Sequence, residues 1–136
     1  MDKTFNLEII ASDHMFFKGE CEMLSFPGLD GEYGILPNHE AMVTCLSAGE
    51  LRIKVNGEWK YAAVSDGFVK ITPTAVVLIA DTVELPEEID ANRANEAKAR
   101  AEERLRQQQS IKEYYISQAA LKRAMSRLMV KDRSIK

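Results

Sequence analysis

Four arginines and one aspartate in the last third of the chain are the residues best suited to chemistry. Ile89-Asp90-Ala91-Asn92-Arg93-Ala94 sets an acid and a base three residues apart, Arg100 follows Arg93 by seven residues, and Arg123 and Arg127 are four apart. On helices such spacings put side chains on one face. Two helices folded back on each other would let Arg93, Arg100, Arg123 and Arg127 face a common anion. A guanidinium carries a fixed fork of donors that matches phosphate oxygens. Asp90, acceptor-only when ionised, can take hydrogen bonds from an amino group of a base or from a ribose, or can simply hold Arg93. The plain alternative is a set of solvated ion pairs worth under about 1 kcal/mol each, and spacing alone does not separate the two.

Other chemistries find no support. The seven glycines never form a phosphate loop followed by Lys and Ser/Thr. His14 and His39 lack a Cys or acidic pattern at metal-ligand spacing, and Ser12, Ser25, Ser47 and Ser65 lie in no nucleophile elbow. The chain is therefore expected to catalyse nothing by itself. Cys21 and Cys45 are the only cysteines, each in a strand-like run, and are expected to be two buried small hydrophobes in a reducing compartment. There is no run of about 18 apolar residues, and Met1-Asp2-Lys3-Thr4 begins neither a signal peptide nor an Arg-rich transit segment. A soluble protein is expected, with membrane association only through a partner.

The elements that must position these groups fall into two halves. The chain has 136 residues, 46% hydrophobic and 29% charged, enough for one ordinary domain or two small ones. Up to Pro86 the period is two: Phe5, Leu7 and Ile9 alternate with Thr4, Asn6 and Glu8, and Leu51, Ile53 and Val55 alternate with Arg52 and Lys54. Asn56-Gly57 tolerates the positive φ of a type I′ turn, so strands 49–55 and 58–64 should pair antiparallel. Punctuation at Gly19, Gly28, Asp30-Gly31, Gly34, Asp66-Gly67 and Pro73 divides this half into short strands, as in a small sandwich or flattened barrel. Val76-Val77-Leu78-Ile79 reads as the last core strand.

After Leu85-Pro86 there is no Gly or Pro, and Ala, Glu, Arg, Lys and Gln dominate. Two helices are predicted, near 87–107 and 111–131, with a reversal at Gln107-Gln108-Gln109-Ser110 and with Pro86, Glu87, Glu88 and Asp90 in the first turn. Ala94, Ala97, Ala101 and Leu105 would face Ile116, Ala120, Ala124 and Leu128. Small residues bury little area, so at roughly 25 cal/mol per Å² the pair should be weakly held and able to open. Residues 1–86 carry six Lys/Arg against thirteen Asp/Glu, and residues 87–136 twelve against eight. The helical arm is basic, the body acidic. Such an arm suits an anionic partner, although nucleic acid is disfavoured by the acidic body and by stacking aromatics limited to Tyr114 and Tyr115.

Residues 26–53, with Pro27-Gly28, Gly31-Glu32, Gly34-Ile35-Leu36-Pro37, His39, Thr44, Gly49 and Leu51-Arg52-Ile53, together with Gly67-Phe68-Val69, resemble the signature of the epsilon subunits of F-type rotary ATP synthases. In the second half Ile89-Asp90-x-x-Arg93-Ala94 is similar to the ATP-binding motif of bacterial members, and 120–128 to their last helix. The resemblance implies an α+β fold: an N-terminal ten-stranded β-sandwich, residues 1–86, followed by a C-terminal antiparallel two-helix hairpin, residues 87–136. It implies a non-catalytic central-stalk subunit at the cytoplasmic face of the bacterial membrane, with the gamma subunit, the c-ring and the alpha and beta subunits of the catalytic head as partners. The expected ATP site is Glu84, Ile89, Asp90, Arg93, Ala94, Arg100, Arg123 and Arg127. Bound ATP, with or without Mg2+, would act as a signal that is not hydrolysed. Glu32 and His39 would face the c-ring. The hairpin would be a brake on ATP hydrolysis, released from the body when ATP is scarce. The alternative is a purely structural stalk subunit without a nucleotide site.

Overall fold

The computed structural model describes residues 3–107 and 111–133. Ten strands come first: β1 (Phe5–Ala11), β2 (Met15–Cys21), β3 (Met23–Gly28), β4 (Gly31–Ile35), β5 (Met42–Leu46), β6 (Gly49–Val55), β7 (Glu58–Val64), β8 (Gly67–Ile71), β9 (Ala75–Ala80) and β10 (Val83–Glu84). They form two five-stranded sheets, ordered β2-β1-β9-β8-β5 and β10-β7-β6-β3-β4. β1 and β9 pair in parallel, and the other pairings are antiparallel. Period-two alternation explains the layering. Phe5, Leu7, Ile9, Val69, Ile71, Val76 and Leu78 of the first sheet meet Leu24, Phe26, Ile35, Leu51 and Ile53 of the second in one core. Each such side chain contributes roughly 1.5–3 kcal/mol on burial. The β6–β7 turn behaves as its sequence predicts, with Asn56 at φ 52° and Gly57 at 77°.

Two tight loops shape the end of the second sheet. Tyr33 stacks on Phe26 at 5.3 Å and its hydroxyl donates to Asp30 at 2.9 Å. The ring lies so close that Gly28 has no room for a side chain. In the β4–β5 loop Asn38 adopts φ 65° while its amide donates to the Pro73 carbonyl at 3.0 Å.

The helical half differs from expectation at its start. Pro86–Glu88 form a 3-10 turn, Ile89 returns to an extended conformation, and α1 (Ala91–Gln107) begins only after Asp90. Asp90 is the reason: its carboxylate accepts the amides of Asn92 and Arg93 at 3.0 and 3.2 Å, as a helix cap does. Glu87 and Glu88 therefore belong to the short turn, and α1 has no acid in its own first turn. The second helix, α2, runs over Ile111–Arg133. Of the predicted reversal, residues 108–110 lie outside the described residues.

Ala94 and Ala101 are buried against α2, which answers with Ala124 and Ser117. Ile116, expected at this seam, is instead 53% exposed. Ala124 is buried as expected, and only at this turn does Ser117 take the buried place, because α2 also packs along β6 and β7 and a helix serving two neighbours must divide its buried arc between them. Cys45 corrects another expectation: Cys21 is buried, but Cys45 is exposed on the outer face of its sheet.

Candidate functional site

The second helix of the hairpin lies along β6 and β7 of the sandwich and is held there by apolar, hydrogen-bonded and ionic contacts. Val130 of α2, Ile89 and Ala63 form a small apolar cluster separate from the main core. Around it stand basic side chains of α2. Arg127 Nη2 donates to Glu84 Oε2 at 3.0 Å while its Nε lies 2.9 Å from Oε1. Lys131 Nζ donates to the Pro86 carbonyl at 3.3 Å, Lys122 Nζ to the Ser47 hydroxyl, and Arg133 Nε to Glu50 Oε2.

A cavity of about 300 Å³ opens between sandwich and hairpin. The body contributes Ser65, Asp81, Thr82 and Glu84, and the hairpin Ala97, Ala120, Arg123, Ala124 and Arg127. Its alanines are what make it hollow, since a larger residue at 97, 120 or 124 would fill the space. Within it the Ser65 hydroxyl accepts the Thr82 amide at 2.8 Å and pairs with the Thr82 hydroxyl at 2.9 Å.

The motif residues are gathered unevenly. Glu84, Arg123 and Arg127 line the cavity. Arg93 and Arg100 do not, but they lie four residues before and three after Ala97, on the face of α1 that borders it. Both are exposed, and neither they nor Arg123 has an acidic partner among the described residues. The cavity thus sets Arg123 and Arg127 beside Asp81 and Glu84, with the exposed guanidinium groups of Arg93 and Arg100 adding positive charge along the bordering face of α1. Ile89 is only 2% exposed and closes the apolar cluster, Ala94 is buried in the helix seam, and Asp90 is exposed while capping α1. Sequence reading missed Ser65, Asp81 and Thr82, because a period-two pattern says nothing about which strand ends meet a distant helix.

Glu32 is not a free carboxylate. It accepts from the Ser25 hydroxyl and from Arg52, and these two contacts hold its carboxyl below the ordinary 4.5. His39 donates from Nδ1 to the Glu40 carbonyl at 2.9 Å and is half-buried in the β4–β5 loop. Near these groups Leu29 and Leu36 are 75% and 58% exposed.

A third surface was not singled out by the sequence reading, although Phe68 stands in the quoted signature. Strand register sets Cys45, Phe68, Ile79, Ile10 and Met15 in one row across all five strands of the first sheet. All point away from the core, with Phe68 52%, Met15 48% and Ile79 38% exposed. A continuous apolar row on the outside of a sandwich marks a docking surface more often than chance exposure does.

Comparison with known proteins places this architecture. Two family profiles match end to end: "ATP synthase, Delta/Epsilon chain, beta-sandwich domain" over residues 4–86 and "ATP synthase, Delta/Epsilon chain, long alpha-helix domain" over residues 87–132. The ATP synthase epsilon chain of Ruminiclostridium cellulolyticum is 50% identical over 130 residues, covering 96% of this chain and 97% of that protein. That of Caldicellulosiruptor saccharolyticus is 44% identical over 130 residues, covering 95% of each. A chain in the Euglena gracilis mitochondrial ATP synthase (OSCP/F1/c-ring) shares the fold at TM-score 0.84 and 19% identity, with 100% of this chain and 84% of that one aligned.

Proposed function

The chain belongs to the ATP synthase delta/epsilon family, as an epsilon chain, and from that premise we propose that it is a non-catalytic subunit of the central stalk whose hairpin senses ATP. The apolar row through Phe68 and Ile79 meets the gamma subunit. The loops carrying Glu32 and His39 face the c-ring, so the sandwich turns with both. The hairpin is the regulator. Released from the body, its basic second helix reaches acidic segments of the beta subunits in the catalytic head and blocks hydrolysis. The subunit works at the cytoplasmic face of the membrane, held there through the complex.

The observation that carries the sensing role is the cavity shared by sandwich and hairpin, with Arg123 and Arg127 inside and Arg93 and Arg100 beside it. A ligand bound by both parts stabilises the docked hairpin by RT ln(1 + [L]/Kd), about 2.7 kcal/mol at a hundredfold excess over Kd. The arginines take the phosphates, and Asp90, at the mouth of α1, is available to the base. Mg2+ would enter only with the nucleotide. ATP in this reading shifts a population and leaves unchanged.

One observation favours the alternative of a purely structural stalk subunit: Asp90 and Arg127 are already engaged, as helix cap and as partner of Glu84. Isothermal titration of the whole protein with ATP, ADP and GTP, with and without Mg2+, separates the two. ATP-selective binding without turnover, weakened about tenfold or more in Arg123→Ala, is the expected result. No heat at millimolar nucleotide would leave the structural role alone.

A further inference from the structure

Four charged groups run in alternating sign from the edge of the sandwich to the end of the hairpin. Glu32 stands on β4, the edge strand of its sheet. It pairs with Arg52 of β6 through Nη2. Arg52 Nε is buried, has no acceptor among the described residues, and lies 3.9 Å from Glu50 Oε1. Glu50, with only 10% of its side chain exposed, spends its other oxygen on Arg133 in the last turn of α2. Arg133 also covers the Tyr61 ring, its guanidinium carbon 4.7 Å from the centroid.

We propose that Glu32, Arg52, Glu50 and Arg133 form a charge relay through which a cationic side chain of a partner, on pairing with Glu32 at the β4 edge, loosens the last turn of α2 from the sandwich. The orphan Nε makes Arg52 two-faced. While Glu32 holds its Nη2, the Nε stops short of Glu50, and Glu50 serves Arg133. When a partner's cation takes Glu32, Arg52 needs to close only about 1 Å to reach hydrogen-bond distance from Glu50. Glu50 is then shared by two guanidinium groups. Their repulsion acts on Arg133, the one carried by the hairpin, because Arg52 is fixed in a central strand. The sandwich edge and the hairpin are thereby coupled without any ligand in the cavity, so the relay stands or falls independently of nucleotide binding.

Hydrogen exchange of the α2 amides over 127–133, in the whole protein without nucleotide, reads the coupling. Glu32→Gln should speed exchange there by about two- to fivefold, the range of a partly exposed ion pair. Glu32→Lys, which supplies the cation permanently, should exceed it. Core amides of Leu7 and Leu78 should stay unchanged in both. In an Arg52→Met background Glu32→Gln should add much less, since with the relay cut in the middle only the direct attraction between Glu32 and Arg133 remains. Arg133→Gln, a change outside the sheets, repeats this cycle without touching the core. Unchanged exchange at 127–133 in both Glu32 variants would overturn the relay. So would an undiminished Glu32→Gln effect in either background, or acceleration spread equally over the core.

Discussion

Truncating Val130 should release the hairpin while sparing the sandwich. Val130 is wholly buried, and its cluster with Ala63 and Ile89 is separate from the core of the two sheets. Val130→Ala removes two methyl groups, about 1.6 kcal/mol of transfer free energy at ~0.8 kcal/mol per carbon. The space left behind is only partly refilled, which raises the loss to about 2 kcal/mol. Because the lost contacts join α2 to β7 and Ile89, that energy falls on the docking equilibrium. At about 1.36 kcal/mol per decade the undocked population rises roughly thirtyfold. Amide exchange along α2 under conditions where closing outpaces chemistry should accelerate by that factor, while β1 and β9 amides keep their rates. Met129→Ala, one residue away but 56% exposed, serves as the control and should change little. Equal acceleration in α2 and the sheets would refute the reasoning, since it would mean that hairpin and sandwich unfold as one unit. Unchanged exchange in α2 would show that the ionic contacts alone hold the hairpin.

Asp90→Ala should cost about 1 kcal/mol of α1 stability by leaving the Asn92 and Arg93 amides uncapped, measured as lost helical ellipticity on heating. Asp90→Ser restores a cap, so an ATP affinity that falls equally in both variants would assign Asp90 to the ligand, and recovery in Ser would assign it to the helix. Since the Ser25 hydroxyl and Arg52 lower the pKa of Glu32 in the fold, its contribution is present above its ordinary 4.5 and is lost as pH falls through the folded value. Urea midpoints should therefore drop more steeply below pH 4.5 in the wild type than in Glu32→Gln. Removing residues 87–136 should leave a cooperatively melting sandwich, because the main core extends no further than Val83. Calorimetry that showed no transition would contradict this.

Much of the architecture is a local property of the chain. The alternation of Phe5, Leu7 and Ile9, the Asn56-Gly57 turn and the loss of Gly and Pro after Pro86 each act through a few neighbouring residues, so strands, hairpin turn and helices are legible without knowing what they pack against. The spacing of Arg93, Arg100, Arg123 and Arg127 was legible for the same reason, since helical period alone sets which face each occupies. What required the tertiary structure was every relation between distant segments. Ser117 instead of Ile116 enters the seam because α2 must also lie on β6 and β7. Cys45 is exposed because register, not composition, decides which face of an edge strand turns outward. Glu84 meets Arg127 across 43 residues and Glu50 meets Arg133 across 83, pairings that no window along the sequence contains. Asp90 lay within the motif, yet its capping bonds arise only once the chain breaks at Ile89. Charges are attracted over distances in space, and only the docking of the hairpin onto one edge of the sandwich turns sequence separation into contact.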